Sequence, residues 1–283
     1  MCLMLNLATP PFPDGMPTFR FERAAPAGVQ AYAALRHAIV TLRLRPGQLL
    51  SEQSIAQQLR TSRTPVREAF IKLADTGLIE VLPQRGTFVR KISLKAVTDA
   101  RFVREAIEIA VLREAVGRLT TDFFATTRDL IAGQRTAAVS NDLERFIALD
   151  DAFHRSFAVA IDRSHAWTVV EAQKAQMDRV RFLSLPGATP IDRLIDQHEA
   201  ILDAAERGDV SVSEAALRTH LAEVLAVLES LSQLYPDLFE PNGRCSACHL
   251  IARGRKRSLT IHSQLRGRVR RGLNPHSPDG GAI

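Results

Sequence analysis

Ser62-Arg63-Thr64-Pro65-Val66-Arg67-Glu68-Ala69 is the stretch on which the reading of the fold turns. Thr64-Pro65 opens a helix, because proline in the first turn loses no hydrogen bond that the helix would have made. Val66, Ala69, Phe70 and Leu73 continue it at helical spacing up to Gly77. Upstream, Ser51 and Ser54 suit a helix start, Ile55, Ala56 and Leu59 supply an apolar face, and Arg60-Thr61-Ser62 is a break of turn length. Further upstream, Tyr32, Leu35, Ile39 and Leu42 recur every three or four residues until Pro46-Gly47 stops them. Downstream, Leu78-Ile79-Glu80-Val81 and Gly86-Thr87-Phe88-Val89-Arg90 flank Pro83-Gln84-Arg85-Gly86, a hairpin with a basic tip. Helix, helix, turn, helix and hairpin together spell a winged helix-turn-helix over residues 28–92.

Charge follows this division. The chain has 283 residues and a formal net charge of +6, but residues 243–283 alone carry +8. Residues 31–92 hold ten Lys/Arg against Glu52, Glu68, Asp75 and Glu80, whereas residues 93–242 sum to −8. A small basic domain joined to a larger acidic one suits a reader of double-stranded DNA fused to a module with another task. With 46% hydrophobic residues the chain can bury sizeable cores, so general disorder is excluded. No apolar run is long enough to span a membrane, no signal peptide is evident, and a cytoplasmic location is expected. Three cysteines, Cys2, Cys245 and Cys248, form no disulfide framework.

Residues 93–240 consist of long periodic segments near 95–118, 122–138, 142–161, 165–184, 190–206 and 211–234, with Gly117, Gly187 and Gly208 between them. The expectation is a mainly α protein whose winged domain precedes an all-α antiparallel bundle. Residues 1–27, rich in proline, read as a loose leader, and residues 241–283, rich in Arg, Gly and Ser, as a disordered basic tail. Cys245-Ser246-Ala247-Cys248-His249 has the spacing of a c-type haem attachment, but export and a packed pocket are both wanting.

The 62–69 segment resembles the recognition helix of the GntR family of bacterial transcriptional regulators. Pro46-Gly47, Leu50-Ser51-Glu52, Ile55-Ala56, Leu59, Gly77-Leu78 and Gly86-Thr87-Phe88-Val89 follow in that family's order. Arg63 and Arg67, four apart, share the helix face that enters a major groove and can grip guanine O6 and N7. Ser62 and Thr64 can hold phosphate, and Arg85, Gly86 and Thr87 at the wing tip can reach phosphate or the minor groove. Gln53 stands where the family often has arginine, and Arg60 where it often has glycine. Gln53 can read adenine or touch phosphate; Arg60 adds a phosphate contact or sits in solvent.

The whole chain is similar to the family's FadR branch, whose C-terminal effector domain is called FCD, as far as Tyr235-Pro236-Asp237-Leu238-Phe239-Glu240. Arg104 and Glu108 match that domain's first helix, and its Asp, His, His, His metal pattern falls on Asp150, His154, His198 and His220. The spacing makes chemical sense: Asp150 and His154 lie one turn apart, and His198 and His220 come from two later helices. Such a set suits Zn²⁺, Ni²⁺ or a similar divalent ion and leaves positions for water or an effector carboxylate, whose other face Arg104 can take. Asp151 should point away from the ion. His165 stands where the family often has asparagine. Arg179 and Arg181 are candidates to face the pocket, one of them being expected at the surface or in a salt bridge.

The resemblance therefore implies a cytoplasmic homodimer, not an enzyme, binding a pseudo-palindromic operator under control of a small carboxylate sensed at a metal-containing helical domain. Two rivals are a repressor that senses the ion itself and a metalloenzyme with the winged domain as accessory. The second lacks a general base, since Asp151 and Glu199 should both face away from the ion.

Overall fold

The computed structural model describes Met16, residues 25–185 and residues 187–241. The expected leader lies almost wholly outside the described residues, as does the tail beyond Pro241 with its Cys245–His249 stretch.

Ser51 accepts a hydrogen bond from the Ser54 N–H at 3.3 Å and so caps α2 (Glu52–Gln58), as its position predicted. Arg60 then turns the chain with φ +53°, and α3 (Arg63–Asp75) starts after Ser62 in extended conformation. Pro65 falls in the first turn of α3, where its missing N–H has no intrahelical partner to lose. One face of α3 buries Val66, Ala69, Phe70 and Leu73 against α1 (Ala27–Val40), which contributes Ala31, Leu35 and Ile39. Each fully buried leucine or isoleucine here is worth about 1.5–3 kcal/mol.

The wing is a three-stranded antiparallel sheet rather than a bare hairpin. Its strands β1 (Leu49–Leu50), β2 (Ile79–Leu82) and β3 (Gly86–Val89) lie in the order β1-β3-β2, with Leu49 opposite Phe88 and Val81 opposite Thr87. Two residues cannot display an alternation, so β1 leaves no periodic signal. At the tip Gly86 has φ +110°, and a Cβ there would stand 2.8 Å from the Leu49 side chain. The backbone conformation is what calls for glycine there, since the exposed Leu49 side chain can swing aside.

The bundle comprises α4 (Leu94–Ala115), α5 (Thr121–Val139), α6 (Leu143–Ala160), α7 (Ser164–Gln173), α8 (Ala175–Ser184), α9 (Ile191–Glu206) and α10 (Val210–Leu234). Ser93, Thr120, Asp142 and Asp209 cap four of these helices through their side chains. Short links make neighbours of α5 and α6 and of α9 and α10. The expected single helix over 165–184 is two helices, parted at Lys174. The residue keeps a nearly helical conformation, φ −78° and ψ −6°, and no glycine or proline marks the break. Its ammonium is buried and held by Asp151 at 2.6 Å and Asp178 at 2.7 Å.

After this break α8 runs through the middle of the protein, every residue buried except Gln176, and packs on α1, α4, α7 and α10. It also grips the winged domain. Gln176 donates to the Gly77 carbonyl at 3.2 Å, and Arg179 donates to the Arg90 carbonyl at 2.7 Å and to the Gln176 side chain at 2.6 Å. Burial pulls the Arg179 guanidinium down to about 9. The segment after α10 closes the same joint: Ile92 N–H donates to Leu238, Glu240 N–H donates to Ile92, and Arg90 pairs with the Glu240 carboxylate at 3.2 Å. Neither Arg179 nor Arg181 is at the surface; the first holds the interdomain joint and the second lines the bundle pocket.

Arg60 holds a left-handed backbone conformation. The strain costs a side-chain-bearing residue about 1–2 kcal/mol, and glycine returns part of that through a freer unfolded chain. Arg60→Gly is expected to raise unfolding free energy by about 0.5–1 kcal/mol in urea titration; a loss of stability would show that the arginine side chain is anchored in the fold.

Candidate functional site

Asp150 and His154 sit one turn apart on α6, His198 on α9 and His220 on α10, all four buried. Their candidate ligand atoms lie within 4.8 Å of one another. His220 Nε2 is 3.1 Å from His154 Nε2 and 3.2 Å from His198 Nε2. The Asp150 carboxylate completes the group, Oδ1 3.6 Å from His198 Nε2 and Oδ2 3.8 Å from His154 Nε2.

The outer nitrogens explain why the inner ones converge. His154 Nδ1 meets Glu108 Oε2 at 2.7 Å, His198 Nδ1 meets Gln134 Oε1 at 2.8 Å, and His220 Nδ1 meets Gln197 Oε1 at 3.1 Å. The two amides are themselves oriented, Gln134 donating to the Leu149 carbonyl and Gln197 to Glu223. Each Nδ1 therefore carries the proton, and three Nε2 lone pairs face one another. At 3.1–3.2 Å such lone pairs repel unless a cation stands among them, so the donor set fits a divalent metal ion.

Electrostatics agree with ligand duty. Burial depresses His198 to about 3, and burial together with the neighbouring histidines holds His220 well below the ordinary range. Burial alone would raise the Asp150 carboxyl, but Arg181, followed by the histidines, holds it well below the usual carboxylate range. Glu108 is likewise desolvated, yet Arg104 and His154 bring it down to about 2. Neutral imidazoles and an ionised carboxylate are the protonation states a metal requires.

A pocket opens beside the cluster, lined by Arg104, Asp150, Arg181, His220 and Thr189 among others. Arg181 spans Asp150 at 2.5 Å, Asp151 at 3.0 Å and Asp178 at 3.2 Å, so its charge is fully matched. Arg104 differs. Its Nε binds Glu108 Oε1 at 2.5 Å, while its buried Nη2 has no partner among the described residues. Asp151 takes Lys174 and Arg181 instead of the cluster, Glu199 pairs with Arg135 at 2.8 Å, and His165 is exposed.

In the winged domain, Arg63, Arg67, Ser62 and Thr64 are exposed at the start of α3, Gln53 on α2 and Arg60 in the turn between them. Arg85 and Gly86 are exposed at the wing tip, with Thr87 half-buried. Sequence reasoning missed Gln134 and Gln197, matched Glu108 to the first helix without giving it a partner, and named Arg181 only beside Arg179 as a candidate to face the pocket. Gln134 had a signal: it occupies the buried row Thr127, Ile131, Gln134, where an apolar residue would be expected.

Because His198 and His220 stay neutral when folded but titrate near 6.5 when unfolded, the unfolded chain binds more protons as pH falls below that value. Chelator-treated protein is expected to lose on the order of 2–4 kcal/mol between about pH 6.5 and 5. The carboxylates Glu108 and Asp150 add to the loss only near and below their unfolded values, about 4. Urea unfolding at several pH values measures this; a flat profile above about pH 5 would contradict the buried neutral imidazoles.

Residues 27–89 match the bacterial regulatory proteins of the gntR family, and residues 99–223 match the FCD domain. HTH-type transcriptional repressor RspR of Escherichia coli (strain K12) is 38% identical over 214 residues, 76% of this chain and 94% of that protein. An uncharacterized HTH-type transcriptional regulator in an unstable DNA locus of Streptomyces ambofaciens is 38% identical over 208 residues, 74% of this chain and 87% of that protein. The solved structure of E. coli McbR/YncC shares the fold, with a TM-score of 0.64 at 21% identity over 73% of this chain and 98% of that one. No helix among the described residues is long and apolar enough to cross a membrane. The chain belongs to the GntR family of bacterial transcriptional regulators, with a DNA-binding winged helix-turn-helix followed by an FCD domain.

Proposed function

We propose that this regulator is a cytoplasmic homodimer that represses transcription from a pseudo-palindromic operator and is controlled by a small carboxylate metabolite at the helical pocket. One observation carries the sensing half: the unpartnered Arg104 Nη2, buried in a pocket that also holds Asp150 and His220 of the inward-facing cluster. Asp150, His154, His198 and His220 would hold the divalent ion, Zn²⁺ or Ni²⁺. When bound, the ion supplies a Lewis-acidic docking point for one carboxylate oxygen.

The chain's own residues do the rest. Arg104 donates to the other carboxylate oxygen, a charge-assisted bond strengthened by the dry surroundings. Arg181 neutralises Asp150 through Oδ2, the oxygen that also faces His154. Arg181 and Arg179 are two residues apart on α8, so an effector that favours one position of α8 also favours one position of the Arg90 joint. The effector's leverage on DNA binding equals its differential affinity for the two arrangements.

At the operator, Arg63 and Arg67 read guanines, while Ser62, Thr64, Arg60 and the wing residues Arg85, Gly86 and Thr87 contact the backbone, with Gln53 beside them. Two-fold symmetry doubles the short contact set of one recognition helix. Repression is supported by the name of the Escherichia coli relative, a transcriptional repressor.

Purified protein is expected to carry about one divalent ion per chain, falling sharply in His198→Ala, because each ligand belongs to a site that only the fold assembles. Arg104→Lys is expected to keep the ion, since Glu108 retains a cationic partner, and to lose the carboxylate response with the guanidinium fork. Metal analysis with effector titrations of DNA binding checks both; a response to the ion alone, indifferent to every carboxylate, would make the ion the signal. For the reading half, Arg67→Ala is expected to weaken binding to a duplex selected by the wild-type protein from a random pool by about 1–3 kcal/mol. Unchanged affinity in a mobility-shift titration would remove Arg67 from the interface.

A further inference from the structure

Glu52 is the only acidic residue between Glu22 and Glu68, in the part of the chain that supplies the basic reading surface. The fold places it on the two reading arginines. Its Oε2 accepts from Arg63 Nη2 at 3.2 Å and its Oε1 from Arg67 Nε at 3.3 Å. The Glu52 side chain is 24% exposed, against 63% for Arg63 and 67% for Arg67. The carboxylate thus lies beneath two outward guanidiniums, one oxygen committed to each, at the first residue of α2 where the helix N-terminus favours a negative charge.

We infer that Glu52 is a positioning residue that sets the selectivity of DNA reading, by tying Arg63 and Arg67 into one arrangement and cancelling part of their attraction for bare phosphate. This rests on the assignment of those arginines to the groove.

The geometry leaves the reading function intact. Arg67 spends only Nε, which leaves both terminal nitrogens free, and Arg63 spends one donor of Nη2. Each keeps the pair of N–H groups that guanine O6 and N7 accept. A phosphate can accept the same fork, but it is offered at every step of any sequence, and its attraction follows the net positive charge presented to it. Against phosphate the shared carboxylate subtracts about one unit of positive charge, while against the matched guanine edge it has already frozen the side chains that must be frozen. One anion therefore weakens sequence-independent binding more than it weakens sequence-dependent binding. Arg60 and Arg85, both exposed, remain to supply backbone attraction.

The test compares wild type, Glu52→Gln, Glu52→Asp and Arg67→Ala on two duplexes across a salt series, by fluorescence anisotropy. One duplex is selected by wild-type protein from a random pool; the other is its scrambled counterpart. Glu52→Gln is expected to bind the scrambled duplex more tightly, with a salt slope steeper by about 0.9, the share of one phosphate contact. Its preference for the selected duplex should fall by about tenfold. Glu52→Asp should return the wild-type slope, because it keeps the charge, and thermal unfolding midpoints should match. A Glu52→Gln protein with unchanged preference and slope, or one equally weakened on both duplexes, overturns the inference while Arg67→Ala still loses selected binding. An Arg67→Ala protein unchanged on both duplexes overturns the arginine assignment and this inference with it.

Discussion

His220 Nε2, held 3.1 Å from His154 Nε2 and 3.2 Å from His198 Nε2 in a buried helical core, sets imidazole lone pairs against one another that demand a positive charge among them. Much of the bundle is arranged around that demand. α6, α9 and α10 bring the inner nitrogens together, while α4, α5 and α9 supply Glu108, Gln134 and Gln197 to hold the outer ones. The carboxylate of Asp150 faces His198 through Oδ1 and both His154 and Arg181 through Oδ2, so its buried charge is matched instead of left isolated. Orientation of ligands by a second layer of hydrogen bonds is what allows a site built from three helices to have one geometry.

The same ionic chain reaches α8. Asp150 leads to Arg181, Arg181 to Asp178, and Asp178 to Lys174 at the break before α8. On the opposite side of that helix Arg179 and Gln176 bind backbone carbonyls of the winged domain, at Arg90 and at Gly77 just past the recognition helix. Backbone carbonyls move with the chain they belong to, so α8 grips the position of the domain and not the rotamer of one side chain. The cost is a buried guanidinium whose Nε has no partner among the described residues, a feature that persists in a native core only where the surroundings hold it.

What the sequence disclosed was local. The cap at Ser51, the turn before Ser62, proline in the first turn of α3 and the one-turn spacing of Asp150 and His154 are encoded within a few residues, and each is visible in the chain. Joined to the family pattern, these were enough for both folds and for all four members of the cluster. Features made by tertiary packing were not visible. β1 is too short for a period, the break at Lys174 has no breaker residue, and the oxygens that orient the histidines belong to glutamines that could equally have faced solvent. Arg179 and Arg181 could not be told apart by pattern, because α8 is buried nearly all round and has no solvent face to set its phase.

The central claim is that the histidine cluster is a metal centre, and X-ray absorption at the K-edge of the ion that co-purifies with the protein tests it most directly. The expected result is three imidazole nitrogens bound to the ion at about 2.0–2.1 Å with carboxylate oxygen at a similar distance, as for Zn²⁺. Sulfur neighbours at about 2.3 Å, drawn from Cys245 and Cys248, or a shell of water oxygens without imidazole scattering, would contradict it.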